Sequence, residues 1–311
     1  MRRSFMLPLI LLGLFVPAIW ADEVEVEKTQ TGINVSIGGK PFTTYIFKSG
    51  AKPILWPIIG PTGKEMTRAY PLREGAADEK TDHIHQRSFW FTHGDVNGVS
   101  FWDEMKGHGD IVQTELVKAE GGEVATIVTR NQWVGPDGTK LCQDERTFRF
   151  GGNADVRWID CDVKVTALAD KVTFGDTKEG SFGVRVAESM KVDAKLGGKI
   201  VNAEGLTDGE AWGKASPWVD YHGPVQGDHV GIAILNHPSS FRFPTYWHVR
   251  TYGLFAANPW GLHDFKGSKE VDGSHSMAKG ESFSLKYRVL FHKGDEKAGK
   301  VAEEFAKYSG T

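Results

Sequence analysis

The stretch QDERTFRFGGNADVRWID, residues 143–160, is typical of two β-strands joined by a turn at Gly151-Gly152. Similar segments recur along the chain. They are rich in Val, Ile, Thr and aromatic residues, are separated by Gly, Pro and Asp turn signals, and lie at 32–47, 123–134, 156–168, 181–192, 229–236 and 281–292. Only residues 295–308 carry a convincing helical spacing of apolar positions. We therefore predict an all-β fold, a large antiparallel β-sandwich with a short C-terminal helix, formed by one domain over residues 22–311.

The composition is that of an ordinary globular protein. The chain has 311 residues, 25% charged and 40% hydrophobic, with two Cys and a formal charge of −3. Wholesale disorder and a disulfide-stapled miniprotein are therefore excluded. The Lys and Arg residues form no basic patch, so we expect no nucleic acid partner.

The first 21 residues are typical of a secretory signal peptide. Arg2 and Arg3 precede an uncharged apolar run over residues 6–20, and the acidic pair Asp22-Glu23 follows. That run is shorter than the roughly 20 residues that a membrane-spanning helix needs. We expect cleavage after residue 21, a periplasmic or secreted mature protein, and no stable membrane insertion after cleavage.

The two cysteines flank the hairpin quoted above. If Gly151-Gly152 forms its loop, Cys142 and Cys161 face each other across the two strands. A cross-strand disulfide and a pair of buried free thiols are both compatible with this arrangement.

The densest chemical signal is DHIHQRSFWFTHGDVNGVSFWDE, residues 82–104. If residues 83–93 are extended, one strand face carries His83, His85, Arg87, Phe89, Phe91 and His93. A His-x-His pair can bind a metal ion, with a further ligand from elsewhere. Alternatively, the imidazoles and the guanidinium bind oxygens and move protons. Arg87 opposes a second cation beside His85, so we expect neither a metal nor another cofactor.

A second cluster occupies residues 218–265, and charged residues lie between the two clusters. Aromatic rings stand here beside hydrogen-bond donors, as a sugar site requires: rings stack on the C–H faces of a sugar, and Arg, Asn and His bind its hydroxyls. The candidates in this region are Tyr221, His237, His248, Arg250, Tyr252, Asn258, Trp260 and His263. The intervening segment adds Glu179, Arg185 and Glu188, of which Arg185 could pair with a sugar acid.

Four long motifs carry a family resemblance. The strings KPILWPIIGPTGKEMTRAYP (52–71), DHIHQRSFWFTHGDVNG (82–98), SPWVDYHGPV (216–225) and NHPSSFRFPTYWHVRTYGLFAANPWG (236–261) resemble an exported bacterial family labelled PmoA or "methane oxygenase". The order of elements is also similar to that of the galactose-mutarotase-like superfamily of β-sandwiches. That similarity implies His and Glu or Asp side chains on the concave face of a sheet, acting on sugars. It implies His83 or His85 facing His237 or His248, with Glu179 or Glu188 as a base.

The leading hypothesis is an exported carbohydrate-active enzyme of epimerase, lyase or hydrolase type. A His would act as general acid, and a Glu or a second His as base. The catalytic candidates are His83, His85, His248 and Glu179. The substrate-binding candidates are Arg87, His93, Arg185, Tyr221, His237, Arg250, Tyr252, Asn258, Trp260 and His263. The alternatives are a non-catalytic carbohydrate-binding protein and, as the family label suggests, a metal-dependent oxidoreductase. The expected partner is a carbohydrate.

Overall fold

Two eight-stranded antiparallel sheets face each other in this computed structural model, which describes residues 23–75 and 79–310. In spatial order the first sheet contains β1 (Val24–Lys28), β2 (Gly32–Ile37), β3 (Lys40–Ser49), β4 (Lys52–Leu55), β5 (Phe89–His93), β11 (Gly180–Arg185), β16 (Leu254–Asn258) and β15 (Tyr246–Val249). The second contains β12 (Lys199–Asn202), β13 (Trp218–Val225), β14 (Asp228–Asn236), β18 (Ser282–Lys293), β9 (Val156–Ala167), β8 (Lys140–Gly152), β7 (Ala125–Val134) and β6 (Asp110–Glu120). The predicted all-β sandwich is confirmed.

The remaining elements are small. Strands β10 (Lys171–Phe174) and β17 (His275–Ala278) pair with each other. Helix α1 spans Leu262–Lys266 and helix α2 spans Val301–Ser309. Three 3-10 turns lie at Glu188–Met190, Val192–Ala194 and Asp208–Ala211. Within the described residues no helix is long and apolar enough to cross a membrane.

The main core lies between the two sheets. Alternate residues of each strand point inward, because side chains repeat every two residues along a strand. Phe42 of β3 meets Phe291 of β18 edge to face at 5.8 Å. Phe182 of β11 stacks on Tyr287 of β18 at 4.4 Å. Such aromatic contacts between the sheets fix the distance between them.

A buried ion pair interrupts this apolar core. Asp144 of β8 is fully buried and accepts hydrogen bonds from Asn131 Nδ2 (2.6 Å) and Trp133 Nε1 (2.7 Å). Arg146 donates to the same carboxylate through Nε (2.9 Å) and Nη2 (2.8 Å). Burial disfavours the Arg146 guanidinium, but the Asp144 charge outweighs it, so the pKa of Arg146 is raised. The four bonds satisfy a carboxylate that has no access to water.

The hairpin register differs from the prediction. Cys142 pairs with Ala167, and Phe148 pairs with Cys161, so the cysteines do not face each other. Both are buried free thiols. The turn lies beyond Gly151-Gly152, where Asn153 Oδ1 accepts hydrogen bonds from the amides of Asp155 (2.9 Å) and Val156 (3.1 Å).

The prediction that residues 83–93 are extended is wrong. Strand β5 begins at Phe89, while His83 (φ 47°) and Ser88 (φ 58°) adopt left-handed backbone conformations. His83, His85 and Arg87 therefore belong to a loop, and they do not share a strand face with His93.

The terminal predictions have different outcomes. The C-terminal helix exists as α2, but it begins at Val301, six residues later than predicted. Before it, Asp295 Oδ1 accepts the amides of Lys297 and Ala298 in a turn. The predicted signal peptide, residues 1–21, lies outside the described residues and stays a prediction.

Candidate functional site

An open cavity of about 430 Å³ lies on the outer face of the first sheet. The walls combine imidazoles, aromatic rings and charged groups, contributed by His83, His85, Gln86, Trp102, Asp103, Lys178, Glu179, His248, Arg250 and Tyr252. Six of the predicted site residues therefore meet here: His83, His85, Glu179, His248, Arg250 and Tyr252.

Strand alternation decides which side chains reach this face. In β15, Trp247 and Val249 belong to the core between the sheets, so His248 points to the opposite side. Trp90 and Ala256 likewise leave the main core and pack in a second apolar cluster with Trp102. This cluster is the apolar floor beside the cavity.

Two buried guanidiniums hold the loop that carries His83 and His85. Arg68, which is fully buried, donates to the carbonyl oxygens of His83 (3.0 Å) and Gln86 (3.4 Å). Arg185 of β11 donates to Gln86 Oε1 at 2.5 Å. The loop conformation thus depends on two cations from elsewhere in the chain, and these bonds preorganise the site.

His83 is oriented by a carboxylate and a ring. Its Nδ1 lies 3.2 Å from Asp82 Oδ1, and its ring stacks on Tyr252 at 5.4 Å. Asp82 Oδ1 also accepts from Arg68 (2.7 Å) and Arg185 (3.2 Å). Burial opposes ionisation of Asp82, but Arg185, His83 and Arg68 outweigh it and lower the pKa of the carboxyl. Asp82 is therefore a stable anion that fixes the ring of His83.

His248 is a neutral imidazole with a defined tautomer. Its Nδ1 lies 2.6 Å from the carbonyl oxygen of Lys178, which can only accept, so Nδ1 carries the proton. Burial lowers the pKa of His248 to about 4. The lone pair is therefore on Nε2 at neutral pH. Asn258 Nδ2 donates to the carbonyl oxygens of Lys178 (3.0 Å) and Thr177 (2.9 Å). These two bonds hold the loop that contains Thr177 and Lys178 against β16.

His85 is also neutral. Burial, with Lys52 and His83 nearby, lowers its pKa to about 4.

Glu104 binds both Lys52 (3.2 Å) and, through two bonds, Arg87 (2.8 and 2.6 Å). Arg87 was predicted to bind substrate oxygens, but its guanidinium pairs with Glu104 and does not line the cavity.

The two remaining charged candidates are free to meet a ligand. Burial raises the pKa of the Glu179 carboxyl above its ordinary value. Gly94 allows the close approach of this segment, since a Cβ there would lie 2.6 Å from the Glu179 carbonyl oxygen. Arg250 packs over Trp212 (5.7 Å) and Tyr252 (5.8 Å). No carboxylate lies within ion-pair distance of Arg250 anywhere in residues 23–75 and 79–310.

The other predicted binding residues lie elsewhere. His93 is buried in the core, with Nε2 2.9 Å from the Gly175 carbonyl oxygen and Nδ1 3.1 Å from the Ser181 hydroxyl. His237 contacts Tyr308, and His263 pairs with Asp176 at 2.8 Å. Three further candidates are fully buried and do not line the cavity: Tyr221, Asn258 and Trp260. Arg185 also lies outside the lining, with its guanidinium carbon 4.8 Å from the centre of the Tyr252 ring.

Five residues of the site were not among the predicted candidates. Four of them line the cavity, namely Gln86, Trp102, Asp103 and Lys178, and Arg68 positions the loop beside it. Gln86, Trp102 and Asp103 fall inside the 82–104 motif, so the density of that motif was an available signal. Lys178 is adjacent to the nominated Glu179. For Arg68 the sequence carries no such signal, because its role depends on contacts with residues 80–86.

We expect the buried neutral imidazoles to make stability depend on pH. Burial lowers the pKa of His93, as of His248, to about 4. The unfolded chain takes up these protons near pH 6.5 and the folded protein only near pH 4. The free energy of unfolding should therefore fall as the pH falls from 6.5 to 5, by about 1.5 kcal/mol for each such group.

Urea denaturation of the wild type and His93→Gln at both pH values measures this dependence. The Gln amide can still donate to Gly175, so we expect His93→Gln to fold and to lose less free energy over this interval than the wild type. Parallel pH curves for the two proteins would show that His93 is not buried as a neutral imidazole.

Comparisons with solved structures find distant similarities. The chain is similar to the galactosidase domain of alpha-galactosidase-sucrose kinase, AgaSK, at 10% identity and a TM-score of 0.46, covering 87% of this chain and 42% of that chain. It is similar to the GH36 alpha-galactosidase AgaB from Geobacillus stearothermophilus at 10% identity and a TM-score of 0.43, covering 88% and 42%. A protein from Synechocystis sp. PCC 6803 is 12% identical, with a TM-score of 0.36 and coverage of 91% and 100%.

None of these similarities assigns an activity. The chain spans about two fifths of the length of the two galactosidases. No curated protein matches the chain. The PmoA label and the galactose-mutarotase-like assignment stay expectations. A family model described as "Family of unknown function (DUF6807)" matches residues 32–306. The chain belongs to this family of unknown function, DUF6807.

Proposed function

We propose that the protein is a carbohydrate-active enzyme that transfers protons at a sugar ring in the cavity of His83, His85, Glu179 and His248. The observation that carries the proposal is the meeting of neutral imidazoles with a carboxyl of raised pKa in one open cavity. Burial favours the neutral form of both kinds of group, an imidazole without its extra proton and a carboxyl that keeps its proton to higher pH. Displaced pKa values of this kind are typical of sites of acid–base catalysis.

Local chemistry assigns the roles within the pair. His248 Nε2 keeps its lone pair at neutral pH, so it is the proposed base. Glu179 holds its proton to higher pH than an ordinary carboxyl, so it is the proposed acid. The hypothesis from the sequence had a His as acid and a Glu or a second His as base, so the His as base is kept and the acid is now Glu179. His83, fixed by Asp82, lines the same cavity.

The cavity walls favour a sugar as the ligand. Trp102 and Tyr252 contribute aromatic rings to the wall of the cavity, and the hydrogen-bond donors Arg250, Lys178 and Gln86 also line it. A polyhydroxylated ring has apolar C–H faces and polar edges, and this combination of rings and donors matches both.

A substrate screen tests the proposal. Purified protein is incubated with plant and algal polysaccharides, and reducing ends and the absorbance of unsaturated uronates are recorded. We expect product from at least one polysaccharide. Binding without product across the panel would instead support a non-catalytic carbohydrate-binding protein. Export, which the signal peptide predicts, is tested separately by the N-terminal sequence of the mature chain.

We expect Arg250→Gln to weaken substrate binding. A charge-assisted hydrogen bond contributes roughly 1.5 to 3 kcal/mol, so KM should rise about 10- to 100-fold with a smaller change in kcat. The matched control is Arg149→Gln on β8, whose guanidinium pairs with Asp162 on the surface of the second sheet. Equal KM values for the two variants would remove Arg250 from the binding site.

A further inference from the structure

A second cluster of titratable side chains lies on the other sheet. Asp220 and His222 are two residues apart on β13, and their neighbours Val219 and Tyr221 point into the main core. Asp220 and His222 therefore point to the outer face of the second sheet. Glu296, from the segment between β18 and α2, covers them. Both Asp220 and His222 are buried, and Glu296 is 17% exposed.

The strand register builds the space for this cluster. His222, Gly231 and His292 lie in one row across β13, β14 and β18. Gly231 has no side chain, and a Cβ there would lie 2.2 Å from His292 Cε1. The ring of His292 can therefore reach across β14, and its Nε2 lies 2.7 Å from Asp220 Oδ2.

Three potential ligand atoms converge. His222 Nδ1 lies 2.7 Å from Asp220 Oδ1 and 3.7 Å from Glu296 Oε2. One atom from each of the three residues lies within 4.8 Å of the others. Tetrahedral ligand atoms about 2.0 to 2.2 Å from one Zn²⁺ ion lie about 3.4 Å apart. The separation of His222 Nδ1 and Glu296 Oε2 is close to this value, and a bound ion would replace the shorter His222–Asp220 hydrogen bond. Among the residues that the structure describes, no other group of three His, Cys, Asp or Glu residues meets this criterion.

Charge balance favours a cation at this position. Asp295 adds a third carboxyl group to those of Asp220 and Glu296, and it lies close enough to His222 to interact with it electrostatically. No Lys or Arg pairs with Asp220 or Glu296 within the described residues. His292 faces acceptors on both ring nitrogens, Asp220 Oδ2 at 2.7 Å and the Lys293 carbonyl oxygen at 3.2 Å. Three carboxyl groups, those of Asp220, Glu296 and Asp295, therefore lie near one another, and a divalent ion stabilises such an arrangement.

We propose that Asp220, His222 and Glu296 bind one divalent transition-metal ion, Zn²⁺ in the first instance. One imidazole nitrogen and two carboxylate oxygens form a donor set that Zn²⁺ accepts, with solvent completing its coordination. His292 then donates to the second oxygen of Asp220 and orients that ligand from outside the coordination sphere. Through Glu296 the ion ties the segment that precedes α2 to strand β13. This site departs from the expectation that the chain needs no metal.

Zinc titration of full-length protein stripped with a chelator tests the site. We expect one Zn²⁺ per chain by calorimetry, a higher melting temperature with Zn²⁺, and at least a 10-fold loss of affinity in Glu296→Gln. Glu296 is chosen because it is partly exposed and its amide replacement preserves size. The matched control is Glu303→Gln, an exposed position of α2, which should bind like the wild type.

Two results would overturn the proposal. The first is the absence of stoichiometric Zn²⁺ binding, in which case the cluster holds only the His292–Asp220 ion pair. The second is equal Zn²⁺ affinity in Glu296→Gln and Glu303→Gln, which would place the ion elsewhere. The visible absorption of Co²⁺ substituted for Zn²⁺ provides an independent readout, and we expect it to change in His222→Gln. The test does not depend on carbohydrate turnover, so its outcome is separate from that of the proposed function.

Discussion

Replacement of His248 by Asn should lower carbohydrate turnover by about 10²- to 10⁴-fold, the usual contribution of a general base. The amide nitrogen of Asn can take the place of Nδ1 and donate to the Lys178 carbonyl, so the loop that carries Glu179 keeps its anchor. The variant loses only the basic Nε2. We therefore expect kcat to fall while the dissociation constant of the polysaccharide stays within about threefold, because stacking and hydrogen bonding are intact.

The matched control for this experiment is His237→Asn. His237 is partly exposed, contacts Tyr308 and Ser239, and does not line the cavity. The His237→Asn variant should turn over substrate at the wild-type rate. Turnover by His248→Asn at the wild-type rate would remove His248 from the chemistry, and loss of activity in His237→Asn would show that the cavity is not the active site.

Replacement of Asp144 by Asn should lower the free energy of unfolding by about 3 to 5 kcal/mol, because it leaves the buried charge of Arg146 without a counterion. Arg146 is 1% exposed, so water cannot replace the lost carboxylate. The comparison is Asp162→Asn on β9. Its carboxylate pairs with Arg149 at 2.9 Å, but the two side chains are 31% and 41% exposed. Exposed pairs contribute about 1 kcal/mol or less.

Chemical denaturation measures both variants. Equal losses of stability would contradict the view that Asp144 compensates a buried charge. If Asp144→Asn does not fold, the double variant Asp144→Asn/Arg146→Met decides the question. Removing both charges should restore folding, since an apolar replacement of a buried ion pair is often neutral. Failure of the double variant would assign the effect to packing instead.

The fold class was predictable because the strands alternate. The register of the β8–β9 hairpin was not, since the pair Gly151-Gly152 suggested the wrong turn. Gly151 is required for another reason: a Cβ there would lie 2.3 Å from the ring of Trp158. The turn is made by Asn153, whose side chain accepts hydrogen bonds from two backbone amides. Local composition did not show that Gly151 serves packing while Asn153 forms the turn.

The sequence indicated several residues of the site, but it did not indicate how they are arranged. The 82–104 motif contained His83 and His85, but their loop is shaped by Arg68 and Arg185, whose contacts depend on the folded structure. His93 belongs to the same motif and is a core residue that Ser181 and Gly175 satisfy. Sequence density locates such a cluster, and only the three-dimensional arrangement separates the side chains that face a ligand from those that face the core.

Time-resolved proton NMR of a carbohydrate incubated with the protein detects both binding and chemistry in one experiment. The oligosaccharides are taken from the polysaccharide panel, and the wild type is compared with His248→Asn. We expect new product resonances with the wild type, and line broadening without product with His248→Asn. Line broadening without product in both proteins, across the whole panel, would show that the cavity binds carbohydrate without catalysing a reaction.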